Sequence, residues 1–123
     1  MNWSVVLAVA VSGAFGATAR YLAHIWLRGL LGEGPWPIVA LNVVGCLGFG
    51  WCWALMNERV TPAVSAGVLI GFFGAFTTFS SFAFDGYQLW DQRRFALLAL
   101  QLLIGNVVGV AALWGGLTLG GRT

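Results

Sequence analysis

Between Gly71 and Asp85 the chain reads GFFGAFTTFSSFAFD, and these residue types could handle a small ion inside a membrane. Four hydroxyls, on Thr77, Thr78, Ser80 and Ser81, are interleaved with the rings of Phe76, Phe79 and Phe82. Hydroxyls both donate and accept hydrogen bonds, and an aromatic ring carries a positive edge. Phe79 and Phe82 are three apart and share a helix face. The stretch lies inside an apolar run long enough to cross a bilayer, yet Gly71 and Gly74 weaken a helix there. Unpaired backbone in hydrocarbon is costly, so a break survives only where it is buried in protein or lines a cavity. The pattern reads as the lining of an ion or solute pathway. Phenylalanines at helical spacing also serve plain packing; the hydroxyls between the rings and the glycines before them favour the pathway.

Other polar residues fall inside apolar runs. Asn42, in PIVALNVVGCLG, offers two amide donors and an acceptor, so it can donate to an anion or join two helices. Gln101 and Asn106 pose the same choice in the last run and, five apart, point in different directions. Arg20, in GAFGATARY, can snorkel outward, cap another helix or attract anions; Asp85 is either a pathway mouth or a solvated helix end. Cys46 and Cys52 are about 240° apart around a helix axis, so free thiols are expected. With one histidine (His24) and no CxxC, no metal-ligand cluster is expected.

The chain has 123 residues, 59% of them hydrophobic and 8% charged, with no lysine. Soluble proteins carry roughly 25% charged residues, and a membrane span needs about 20 apolar ones. The length therefore suits a single all-α domain, residues 1–123, of four transmembrane helices with short loops. No soluble catalytic domain fits, so no enzyme is expected. The N-terminal run is too long and too poor in basic residues for a cleavable signal. Scattered arginines and a net charge of +2 give no reason to expect a nucleic-acid partner. The expected setting is the bilayer of a prokaryotic plasma (inner) membrane, crossed several times.

Breakers divide the chain into runs of about Trp3 to Trp26, Pro37 to Met56, Pro62 to Trp90 and Phe95 to Leu119, the third interrupted near Gly74 to Thr78. The loops are Gly29 to Pro37, Asn57 to Arg59 and Asp91 to Arg94. Trp3, Trp26, Trp36, Trp90 and Trp114 suit an interfacial belt. Arg28, Arg93, Arg94 and Arg20 lie on one side; Arg59, Arg122 and the amino terminus lie on the other. That near-tie gives no firm orientation, so opposite copies could pair as the dimeric equivalent of an inverted repeat. Gly67 with Gly71, Gly105 with Gly109, and Gly45, Gly48 and Gly50 suit close helix packing.

Four stretches, GAFGATARY, ALNVVGCLGFG, GFFGAFTTFSSF and GNVVG, resemble the small fluoride channels (CrcB/Fluc) over nearly the whole chain, and TTFS after a GFxG break is that family's hallmark. The resemblance implies an antiparallel, dual-topology homodimer with two pores that export fluoride passively and so reduce its toxicity. It also implies a central structural sodium ion on backbone carbonyls, which map to Gly74 and Thr77 and the same pair from the partner subunit. The aromatic pair facing fluoride maps to Phe79 and Phe82, the pore asparagine to Asn42, and the start of a fourth-helix polar track to Gln101. The next two track positions fall on Gly105 and Gly109, which lack hydroxyls. Ala75 stands where a second glycine is common, and Asp85 where glutamate is usual.

Fluoride is small and strongly hydrated, so a selective pore must replace its water with close-fitting donors. The Asn42 amide, the Ser80 and Ser81 hydroxyls and the aromatic edges are such donors, and none carries a full charge that would trap the anion. Carbonyls freed at a helix break suit a hard cation. The alternative is a small multidrug or guanidinium exporter of four spans and dual topology. It needs a carboxylate buried in the first helix, and WSVVLAVAVSGAFGATARYL has none.

Overall fold

In the computed structural model of the chain, residues 1–56 and 59–122 are described; Asn57 and Glu58 of the expected second loop lie outside them. Helix α1 is Trp3–Leu31 and α2 is Trp36–Met56. The third span, Pro62–Asp91, runs through α3 (Pro62–Ala66), a π-helical segment (Gly67–Phe73), α4 (Gly74–Phe76) and α5 (Phe79–Asp91). Helix α6, Phe95–Leu119, follows. No strand occurs among the described residues, and all four spans are long and apolar enough to cross a membrane.

Local chemistry sets the ends. The Asn2 side chain accepts the Ser4 N–H at 3.1 Å and caps α1. That helix continues five residues past Trp26, because Gly29 is tolerated within it. The stop comes at Gly32 and Gly34, whose φ angles of 79° and 125° suit glycine, and Arg28 pairs with Glu33 across the turn. Pro37 sits in the first turn of α2, where its missing N–H costs nothing. Thr61 caps α3 and Pro62 opens it.

Helix α2 lies along α6, and α1 lies along the third span. Both contacts are backbone to backbone. A Cβ at Gly16 of α1 would strike the Phe72 carbonyl, and a Cβ at Gly50 or Gly116 would strike the carbonyl of Leu113 or Leu47 across the α2–α6 seam. Lipid supplies no hydrophobic drive between helices, so this closeness, with its dispersion contacts, carries the packing. Gly67 and Gly71 meet α1 at Ala8, Val9 and Ser12, as their spacing suggests. Gly105 instead seats a phenylalanine ring.

Ile38, Val39 and Leu41 of α2 bury against Phe82 of α5, with Leu27, Phe76 and Ile104 around them. Trp3, Trp26, Trp90 and Trp114 stay exposed, as a belt requires, whereas Trp36 packs on this core. Glu33 and Gly34 line one polar cavity of about 240 Å³ with Asp85, Gln92 and Arg94, so the first and third loops share one end of the bundle.

Candidate functional site

The third span breaks at two residues. Thr77 (φ −81°, ψ 157°) and Thr78 (φ −149°, ψ 118°) are extended, while Gly74 (φ −62°, ψ −34°) is ordinary helix. The interruption expected from Gly74 onward therefore begins three residues later. Its cause lies on α2. Asn42 Oδ1 accepts the Thr78 N–H at 2.8 Å, and Asn42 Nδ2 donates to the Thr78 carbonyl at 3.0 Å. One amide thus takes both backbone groups of Thr78, and the Thr78 N–H no longer reaches the Gly74 carbonyl.

Threonine side chains finish both edges of the break. The Thr77 hydroxyl donates to the Phe73 carbonyl at 2.9 Å, beside its own N–H at 3.0 Å, closing the first half. Thr78 Oγ1 accepts the Ser81 N–H at 3.2 Å and caps α5. The Ser80 and Ser81 hydroxyls each lie 3.2 Å from Thr78 Oγ1, forming a cluster at the start of α5. A buried backbone group left without a partner costs about 1–3 kcal/mol, so these bonds make a break at membrane depth tenable.

A cavity of about 210 Å³ opens beside the break, walled by Asn42, Cys46, Thr77, Thr78, Phe79, Phe82, Gly105 and Asn106. It gathers Asn42, Phe79 and Phe82 from distant parts of the sequence. The two rings lie 6.1 Å apart between centroids and are tilted by 39°. Phe79 is 78% exposed and Phe82 only 5%. The Phe82 ring fills the space of the side chain that Gly105 lacks, its Cζ 2.9 Å from where a Cβ would stand.

Ser80, Ser81 and Gln101 are not among the residues lining this cavity. Gln101 is fully buried and its Nε2 donates to the Phe82 carbonyl at 2.8 Å, behind the ring. Gly86 packs beside that amide, where a Cβ would stand in ordinary contact, 3.5 Å from Gln101 Oε1. Sequence reasoning singled out neither the Asn42–Thr78 clamp nor Cys46 as a cavity wall. The signal for the clamp was a lone asparagine and a threonine pair, 36 residues apart.

A second cavity, about 140 Å³, includes Gly45, Cys46, Phe73, Gly74 and Thr77 in its walls. Cys46 and Thr77 border both cavities, so the break stands between them. Gly74 is exposed, and outside the helices no backbone N–H of the described residues reaches the carbonyl of Gly74 or Thr77. Both cysteines are free. Among the described residues no group of three or more His, Cys, Asp or Glu could hold a metal, which leaves carbonyl and hydroxyl oxygens as the local donors for a cation.

Four apolar spans, one of them broken and clamped beside a polar-and-aromatic cavity, define a multi-pass membrane protein. The model of the family described as CrcB-like protein, Camphor Resistance (CrcB), matches residues 7–117, and the chain belongs to that family. It is 41% identical over 116 residues to the fluoride-specific ion channel FluC of Paracoccus denitrificans, covering 93% of this chain and 92% of the relative. For the fluoride-specific ion channel FluC of Solidesulfovibrio magneticus the identity is 40% over 119 residues, covering 91% and 92%. The relative of that name from Nitrosococcus oceani is 37% identical over 120 residues, covering 95% and 96%. The setting is the prokaryotic plasma membrane.

Proposed function

We propose that this chain forms a fluoride-selective channel that lets the anion leave the cytoplasm passively and so limits its toxicity. The observation that carries this reading is the cavity at the helix break, where Asn42, Phe79 and Phe82 converge. A small, strongly hydrated anion needs donors that replace its water without binding it too tightly. Neutral amide N–H groups and positive ring edges meet that need, and no charged residue is among those lining the cavity. Relatives named fluoride-specific ion channels, similar over nine-tenths of their length, support the same choice of ion.

The channel in this reading is an antiparallel homodimer with two pores. Its support is the near-even division of arginines between the two sides and an outer face that leaves Phe79, Ile70 and Gly74 uncovered in a single chain. A sodium ion at the dimer centre fits the carbonyls of Gly74 and Thr77, since hard cations take oxygen ligands and the break deprives the Gly74 carbonyl of its helical donor. Bound there, the ion would supply a fixed positive charge between the subunits. Asn42 in turn shapes the break, Phe82 is held by Gln101 and Gly105, and Phe79 offers its ring at the open side.

Purified protein in liposomes loaded with fluoride tests the reading. Fluoride should leave without ATP or a proton gradient while chloride is retained. A strict requirement for a proton gradient, or chloride leaving as fast as fluoride, contradicts it.

A further inference from the structure

We infer that Asn106, on α6, is a second amide donor on the fluoride path beside Asn42 of α2; this rests on the reading above. Few side-chain hydrogens around the 210 Å³ cavity are left without an acceptor. The Thr77 hydroxyl spends its single hydrogen on the Phe73 carbonyl, and the Thr78 hydroxyl spends its own within the serine cluster. Asn42 spends one amide hydrogen on the Thr78 carbonyl and keeps one. Gly105 is covered by the Phe82 ring, and the Cys46 thiol is a weak donor. Asn106 is exposed on the cavity wall and spends one amide hydrogen on the Leu102 carbonyl at 2.7 Å. Its second N–H and its oxygen are left over.

Among the side chains lining the cavity, two amide hydrogens therefore remain as the strong donors, one from α2 and one from α6. Gln101, the other amide of α6, is committed to the Phe82 carbonyl behind the ring. Gly109, one turn beyond Gly105, offers nothing; the nearest atom to a Cβ there is Cys46 Sγ at 3.8 Å. Asn106 follows Gly105 directly, which brings a donor to the same stretch of α6 from the neighbouring position.

The plain alternative is that Asn106 merely bonds its own helix. Two substitutions separate the roles. Asn106→Leu removes every donor at similar volume. Asn106→Thr keeps a bond to Leu102 available, as Thr18 and Thr118 make to Ala14 at 2.8 Å and Gly115 at 2.9 Å, but that bond uses its only hydrogen. Fluoride flux per assembled channel is measured in liposomes, with assembly followed by size-exclusion chromatography. Both variants should assemble, with flux lowered roughly tenfold in Asn106→Leu and at least about threefold in Asn106→Thr, the scale of one hydrogen bond to an anion. Either assembled variant conducting within about twofold of the unaltered protein, a difference below one such bond, overturns the inference. If Asn106→Leu fails to assemble, the threonine variant decides alone. Failure of the unaltered protein to release fluoride defeats the channel reading itself, which keeps the two outcomes apart.

Discussion

The α2–α6 seam and the break in the third span hold this bundle together by opposite means. Along the seam Gly50 and Gly116 bring backbones into contact, and the fit depends on the absence of side chains. At the break the contact depends on one side chain, because Asn42 takes both the N–H and the carbonyl of Thr78. At Gly50 and Gly116 the seam has no room for a Cβ; the break depends on the two hydrogen bonds that Asn42 makes to Thr78. The difference teaches where function can sit. The cavity of about 230 Å³ that borders the seam at Gly50 is walled almost wholly by apolar side chains, Phe49, Trp53, Leu113 and Leu117, whereas the backbone opened and re-bonded by a distant amide leaves a cavity lined by Asn42, Thr77, Thr78 and Asn106.

The largest effect is expected at the break. Asn42→Leu keeps the volume but strands two backbone groups, each costing about 1–3 kcal/mol, so a loss of about 2–6 kcal/mol is expected. Unfolding in detergent, with fluoride flux measured in parallel, checks both consequences; full stability in this variant would show that the break does not need its clamp. A smaller loss is expected at the seam. Gly116→Ala pushes a methyl into the Leu47 carbonyl, and overpacking of this kind costs about 1–3 kcal/mol. The same unfolding measurement checks it, and flux per folded channel should hold, since Gly116 lines no cavity at the break. Were flux lost without any loss of stability, the two regions would not be separable.

Much of this architecture was legible in the residues themselves. Four apolar runs bounded by prolines, glycines and arginines gave four spans, and the glycine, threonine and phenylalanine mixture marked where the third one fails. The expected interval, Gly74 to Thr78, contains the break, although its first three residues stay helical. The backbone yields at Thr77 and Thr78 because an amide 36 residues away competes for the Thr78 N–H, and that partner was not legible. The π-helical turn through Gly67–Phe73 left no periodicity to read. Spacing picked out Gly67 with Gly71 but missed Gly16 and Gly116, since which glycines meet a backbone depends on how the helices cross. Gln101 and Asn106 were correctly set on different sides of α6, yet only the packing shows that one lies behind Phe82 and the other on the cavity wall.

Phe79 offers the most direct test of the claim that the cavity at the break is the fluoride path. Its ring is 78% exposed in the single chain, unlike that of Phe82, so its replacement disturbs the fold least. Phe79→Ile keeps apolar bulk, deletes the ring edge and should cost less than about 1.5 kcal/mol of stability. Fluoride flux per assembled channel should fall sharply in this variant, while Phe73→Ile, away from that cavity, should remain much closer to the unaltered protein. Equal flux in both variants would contradict the claim and return Phe79 to lipid-facing or packing surface.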